Sequence, residues 1–161
     1  MTSLAQRVIS SPIGDVLVVA CERGLVSVEF VDDGPAAVDE GSGEPAAIAQ
    51  SAAQQLAEYF AGKRSEFDVP LAPEGTEFQR SVWNALCRIP YATTASYKQQ
   101  ATWVGNPKAT RAVGSANGRN PIAIIVPCHR VIGSDGRPTG YASGIERKLW
   151  LLDHERAVAA R

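Results

Sequence analysis

Apolar residues open the chain in short β-rich runs, at Val8 and Ile9, from Val16 to Ala20 and from Leu25 to Val31. Ser11-Pro12-Ile13-Gly14 and Glu22-Arg23-Gly24 separate them, so the pattern predicts an antiparallel meander with Gly and Pro at its turns. Asp32 to Pro45 is rich in Gly, Asp, Glu and Pro and has no hydrophobic period, which predicts an exposed, mobile connection. From Ala46 to Ala61 the period becomes helical, with Ile48, Leu56, Tyr59 and Phe60 available for burial and Gly62 as the stop. A short strand around Glu66 to Val69 is expected to complete this first lobe.

Leu71-Ala72-Pro73-Glu74-Gly75 marks a boundary, giving an N-terminal lobe over 1–73 and a second lobe over 74–161. Thr76 and Gln79 have the spacing of a capping box, and Phe78, Val82 and Leu86 follow at four-residue intervals, so a helix is predicted to about Ile89-Pro90. Ser96 and Gln99 repeat the capping pattern before a brief helix ending near Gly105. Asn106-Pro107 then supplies an N-cap and a first-turn proline for a helix to about Ala116. Two short helices joined this way predict a helix-turn-helix. The second contains Ala109, Ala112, Gly114, Ser115 and Ala116, little side-chain bulk, with Arg111 projecting from it. A slim helix approaches either a neighbouring helix or a nucleic-acid groove closely. The fold class is α+β: an antiparallel-strand lobe with a helix, then a mostly helical lobe.

The net charge of −1 conceals an asymmetry: residues 1–75 carry −8 and residues 76–161 carry +7. The second lobe is therefore the candidate for meeting phosphates. Three scattered cysteines, Cys21, Cys87 and Cys128, fit neither a disulfide framework nor a paired-cysteine zinc site, and only His129 and His154 supply imidazole, so no metal is assigned. The start of the chain has no basic segment leading into an apolar one, and the longest strongly apolar run is Ile122 to Val126. A reducing cytoplasm is expected, with neither export nor membrane insertion.

That apolar run reads as a buried strand leading into Pro127-Cys128-His129-Arg130, then Val131-Ile132-Gly133. An isolated internal cysteine is ordinarily inert packing, the reading given to Cys21 and Cys87. One beside a proline break, a histidine and an arginine has reasons to ionise, and the thiolate is the nucleophile. In an extended backbone Cys128 and His129 point to opposite sides, so a water is expected between them. Glu155 lies late in a helix predicted to begin around Ser143, where the macrodipole disfavours an acid; a local rule broken there points to function.

Pro127-Cys128-His129-Arg130-Val131, preceded by Asn120-Pro121, resembles the active-site signature of O6-alkylguanine-DNA alkyltransferases. The resemblance extends over roughly 76–156, through Ile89-Pro90-Tyr91, Ser96-Tyr97, Asn106 to Ala109, Arg111 to Gly114 and Leu151 to Glu155. It implies direct reversal of DNA damage: irreversible, stoichiometric transfer of the alkyl group from O6-alkylguanine, and O4-alkylthymine, to Cys128, without a cofactor. It implies that His129 deprotonates Cys128 through water, that Glu155 orients His129, that Asn120 holds the surrounding turn and that Tyr97 hydrogen-bonds the leaving guanine. Arg111, Ala112, Ser115 and Lys108 would meet double-stranded DNA through the minor groove, Arg111 filling the space of an extruded nucleotide. Tyr97, Val131, Tyr141, Ala142 and Ser143 would contact the base, the last three in a closing loop over Thr139 to Gly144. The N-terminal lobe has no histidine for the zinc site of some relatives. A monomer is expected in the absence of DNA. Two other readings stand beside this one: a non-enzymatic relative that only binds alkylated DNA, against which Cys128 argues, and a cysteine hydrolase with a Cys/His/Glu triad, against which the adjacent Cys-His and the helix-turn-helix argue.

Overall fold

A computed structural model describes residues 3–32 and 37–161. The chain divides into two compact units, Met1–Glu74 and Gly75–Arg161.

In the first unit β1 (Ala5–Ile9), β2 (Asp15–Cys21) and β3 (Gly24–Val31) form an antiparallel sheet in the order β1-β2-β3, as the meander pattern predicts. Val16, Val18, Ala20, Leu25 and Val28 are buried on it, beneath Ile48, Ala49, Ala52, Leu56 and Tyr59 of α1 (Gly43–Phe60). The helix starts three residues before the predicted Ala46, and Phe60 is only half-buried. Within the predicted mobile connection, residues 33–36 lie outside the described residues. Farther along it Asp39 is tied to β1: its carbonyl accepts from the Gln6 amide at 2.8 Å and its own amide donates to Gln6 Oε1 at 3.1 Å.

The strand expected at Glu66 to Val69 does not form. The Gln55 side chain takes both backbone groups of Asp68, accepting from its amide at 2.8 Å and donating to its carbonyl at 3.1 Å, which leaves neither for a sheet ladder. Pairing comes later, as a parallel bridge between Leu25 and Leu71. There the Leu25 amide donates to the Pro70 carbonyl and the Ala72 amide to the Leu25 carbonyl, both at 2.8 Å. Gly24 allows the approach, since a Cβ at that position would stand 2.6 Å from the Pro70 oxygen.

The second unit begins with α2 (Glu77–Leu86), whose capping box is complete: the Thr76 side chain accepts from the Gln79 amide and the Gln79 side chain accepts from the Thr76 amide. Val82, Trp83, Ala85 and Leu86 face inward, while Phe78, expected on that face, is exposed. The same reciprocal cap, Ser96 with Gln99, starts α3 (Tyr97–Trp103), and Gly105 at φ 83° ends it. The next helix, α4 (Thr110–Gly118), begins later than predicted, with Ala109 as N-cap. Asn106 closes a turn instead, its carbonyl accepting from the Ala109 amide at 3.0 Å, with Pro107 suited by its fixed φ to the second position. Buried polar contacts set the position of α4. Trp83 Nε1 donates to the Ala116 carbonyl at 2.8 Å, and Gln100 and Asn117 exchange two amide hydrogen bonds at 2.8 and 2.7 Å. A two-residue strand β4 (Ala95–Ser96) pairs in parallel with β5 (Val131–Ile132), and α5 (Ile145–Ala159) closes the unit. Among the described residues no helix is long and apolar enough to cross a membrane.

Candidate active site

Ile122 to Val126 is buried, as an apolar run should be, yet it is not a strand. It folds into successive tight turns, with Ile125 N donating to Ala123 O at 2.7 Å, Val126 N donating to Ile122 O at 3.1 Å, and Ile124 at φ 70°. A β-branched residue in the left-handed region is costly, and it persists because Asn120 clamps the loop from both ends. Asn120 Oδ1 accepts from the Ile122 amide at 3.0 Å, and its Nδ2 donates to the Val126 carbonyl at 2.9 Å. Pro127 at φ −83° and ψ 64° makes an inverse γ-turn, the Cys128 amide donating to the Val126 carbonyl at 2.8 Å. The chain then enters a 3-10 turn, Cys128–Arg130. Cys128 therefore sits at the start of a helical turn, not at the end of a strand, and the alternation argument for a water beside it does not apply.

Asn120 Nδ2 also stands 3.2 Å from Cys128 Sγ, a contact that stabilises the thiolate. Burial pushes the thiol pKa up all the same, and neither Asn120 nor the charge of Lys148 offsets it, so the resting group is a thiol. His129 and Glu155 are both fully buried, with His129 Nε2 2.7 Å from Glu155 Oε2. Glu155 accepts three further hydrogen bonds, from Arg130 Nε at 2.8 Å, Arg130 Nη2 at 3.1 Å and the Ala92 amide at 3.1 Å. Burial acts to raise its pKa, but the hydrogen bonds and charges of His129 and Arg130 hold the carboxyl well below the usual carboxylate range. Burial lowers the His129 pKa against the pull of Glu155, and Arg130 and Lys148 lower it further, so the imidazole rests neutral. An ionised Glu155 then places the ring proton on Nε2 and the lone pair on Nδ1, which has no protein hydrogen-bond partner among the described residues.

Cys128 opens onto a pocket of about 360 Å³ lined by Tyr97, Gly114, Asn117, Gly118, Cys128 and residues 139–142. Tyr97 Oη is 2.6 Å from Thr139 Oγ1, linking the start of α3 to the loop across the opening. Tyr141 lines the pocket with its hydroxyl buried and without a protein hydrogen-bond partner among the described residues. Of the residues expected to contact a base, Tyr97, Tyr141 and Ala142 are in this lining and Val131 and Ser143 are not. Val131 is fully buried, and its carbonyl accepts from Lys148 Nζ. The Ser143 carbonyl accepts from Arg147 Nη1 at 3.2 Å. On α4, Arg111, Ala112 and Ser115 are exposed, opposite the buried Val113, Ala116 and Asn117; Lys108 is exposed in the turn before the helix.

Two family profiles match the chain. One, described as the DNA binding domain of 6-O-methylguanine DNA methyltransferase, covers residues 77–157, and the other, its ribonuclease-like domain, covers residues 4–73. The chain belongs to the 6-O-methylguanine DNA methyltransferase family. A methylated-DNA–protein-cysteine methyltransferase of Methanosarcina barkeri is 53% identical over 150 residues, spanning 92% of this chain and 94% of the relative. The crystal structure of Mycobacterium tuberculosis O6-methylguanine methyltransferase superposes with a TM-score of 0.82 at 44% identity, covering 96% of this chain and 94% of that one. A structure of Mycobacterium tuberculosis OGT in complex with DNA gives 0.83 at 45% identity, with the same coverage. Family membership makes the chain a methyltransferase that reverses O6-methylguanine damage directly, and it sets aside both the binding-only and the hydrolase readings.

Sequence reasoning overlooked two members of this methyltransferase site. Arg130, read as a cation acting on Cys128, turns to Glu155 instead; its Nη1 also donates to the Ile89 carbonyl at 2.7 Å, and its Cζ lies 5.6 Å from the Tyr91 ring centre. Lys148 was not singled out at all. A lysine early in a charge-rich helix whose apolar and charged residues follow no helical period carries no sign of burial in its sequence; the position of the loop before it decides that.

Proposed function

We propose that Cys128 is the alkyl acceptor and that the pocket receives an O6-alkylguanine turned out of duplex DNA. The observation that carries this reading is the Cys128 sulfur at the lining of a base-sized pocket, held by Asn120 and beside a neutral, buried His129. His129 Nδ1, through a water, accepts the Sγ proton while Nε2–H stays on Glu155. The sulfur attacks the alkyl carbon in line with the C–O6 bond. An S–C bond forms, the C–O6 bond breaks and its electron pair goes to guanine. Tyr97 Oη donates a hydrogen bond to the ring as that charge develops, and the proton taken from sulfur ultimately balances the guanine anion.

The exposed face of α4 bearing Arg111, Ala112 and Ser115, with Lys108 before it, is the surface for double-stranded DNA, entering the minor groove with Arg111 in the gap left by the extruded nucleotide. The excess of basic residues in this half of the chain supports that assignment. The units Met1–Glu74 and Gly75–Arg161 correspond to an N-terminal lobe and a catalytic, DNA-binding lobe of a protein monomeric without DNA. O4-alkylthymine is a second substrate, and three free cysteines suit a reducing cytoplasm.

The test is peptide mapping after reaction with a duplex containing O6-methylguanine. One methyl group per chain is expected on Cys128, without added cofactor, because a thioether destroys the nucleophile. Methyl on Cys21 or Cys87, or many turnovers from a limiting amount of protein, refutes the assignment.

A further inference from the structure

We infer that Thr139 is a positioning residue for transfer: its hydroxyl turns from acceptor to donor against Tyr97 Oη, releasing the phenol proton to the departing guanine. The inference rests on the proposed reading of Cys128 as acceptor and of Tyr97 as the group that meets the base. Tyr97 and Thr139 line the pocket together with Cys128, and their hydroxyl oxygens stand 2.6 Å apart. Both side chains are held in place by the same short ladder. Ser96 of β4 pairs with Ile132 of β5, so Tyr97 and Gly133 leave that ladder side by side. The Tyr97 ring lies against α4 at Gly114, where an added Cβ would stand 3.8 Å from Cδ1 and Cε1. Thr139 turns its methyl to Gly133, where an added Cβ would stand 3.4 Å from Cγ2. Threonine is stiff at χ1, so a methyl on Gly133 keeps the hydroxyl on Tyr97.

Two hydroxyls hold two protons, and the bond between them uses one. At rest the phenol, the more acidic hydroxyl, is the better donor, and its proton points to Thr139. Tyr97 cannot serve Thr139 and a base with that single proton. Among the described residues Thr139 is also the only hydrogen-bond partner of Tyr97 Oη. When a guanine ring nitrogen presents its lone pair, the phenol proton goes to the base. Thr139 keeps the contact by rotating its O–H and donating to Oη, a change that moves no heavy atom. Neither hydroxyl gives up its proton. A hydroxyl that accepts a hydrogen bond is polarised into a stronger donor, so Thr139 strengthens the bond from Tyr97 to the ring as negative charge accumulates there.

Single-turnover transfer from an O6-methylguanine duplex tests this in the wild type, Thr139→Val, Thr139→Ser, Tyr97→Phe and the double variant Tyr97→Phe/Thr139→Val. Thr139→Val should react about fivefold more slowly, the loss of one neutral hydrogen bond, and Thr139→Ser should recover the wild-type rate within about twofold. The double variant should be no slower than Tyr97→Phe, because Thr139 acts through the phenol. Alkylation of Cys128 by iodoacetamide, which brings its own leaving group, should proceed at the wild-type rate in Thr139→Val. An unslowed Thr139→Val, a Thr139→Ser as slow as it, or losses that multiply in the double variant each overturn the role of the hydroxyl. Slowed iodoacetamide alkylation in step with slowed transfer overturns it too, by placing the defect in the loop. If Thr139→Val does not fold, Thr139→Ala replaces it with the same expectations. Two controls keep the failures apart. Methyl found away from Cys128 in the wild type sinks the acceptor assignment, and Tyr97→Phe at the wild-type rate sinks the reading of Tyr97. Methyl on Cys128 and a slowed Tyr97→Phe beside an unslowed Thr139→Val sink the role of Thr139 alone.

Discussion

Glu155→Gln removes the charge on which four hydrogen bonds converge. Glutamine fills the same space but offers one accepting oxygen, so its NH2 must face a donor of Arg130 or His129. Arg130, 6% exposed, loses its counter-charge and keeps the Ile89 carbonyl and the Tyr91 ring. Breaking a buried ion pair from one side costs roughly 3–5 kcal/mol, and those residual contacts place the expected loss at about 3 kcal/mol. Against a total stability of roughly 5–15 kcal/mol, urea unfolding at pH 7 should show a midpoint lowered by about 1 M or more. The folded fraction should also transfer alkyl at least about tenfold more slowly at neutral pH. The proton on Nε2 is no longer fixed, Nδ1 becomes a weaker base, and reactivity shifts toward higher pH. Single-turnover rates against pH, with duplex affinity at fixed salt as the control for folding, separate the two effects. A variant within about 1 kcal/mol of wild type with a superimposable pH profile refutes the account of Glu155 as both anchor and orienter.

Arg111→Ala should weaken repair of duplex DNA more than reaction with a free O6-alkylguanine base, because only the duplex requires extrusion; equal losses would place Arg111 in the fold or the pocket. Tyr97→Phe should slow transfer about tenfold while leaving the thiol accessible to iodoacetamide, since it removes the hydroxyl that meets Thr139 and the departing guanine, and unchanged transfer would exclude that hydroxyl from the mechanism. Acid should weaken the fold in two stages. The His129 pKa is depressed by burial, so its contribution is complete above the ordinary 6.5 and declines as pH falls through it. That of Glu155, depressed by His129 and Arg130, is complete above the ordinary 4.5 and declines below it. Urea unfolding from pH 8 down to pH 2 measures both, and a flat profile contradicts the assigned protonation states.

Where local chemistry decides the structure, the sequence was legible. Both capping boxes, the three-strand meander and the end of α3 at Gly105 depend on residues within a few positions of one another. Ile122 to Val126 was misread because burial favours the same residues in a strand and in packed turns, and the choice was made by Asn120, whose side chain replaces a ladder. Gln55 did the same to Asp68 from 13 residues away, a distance at which no periodicity signals a bond. In the site, Cys128, His129 and Glu155 could be named from a motif. Arg130 and Lys148 could not be given their partners, because those contacts depend on how α5 docks against the reactive turn.

Gln100 and Asn117 behave as one hereditary unit. Gln100 is wholly inaccessible and Asn117 nearly so, and each amide answers the other's donor and acceptor. An apolar replacement at either position strands the opposite amide in the interior at a cost of roughly 1–3 kcal/mol, whereas a matched apolar pair abolishes the debt altogether. A lineage changing one residue at a time therefore meets a barrier on both first steps and none at the destination. Because Asn117 also lines the pocket, that destination is closed for a second reason, so α3 and α4 should drift in sequence around a fixed amide pair.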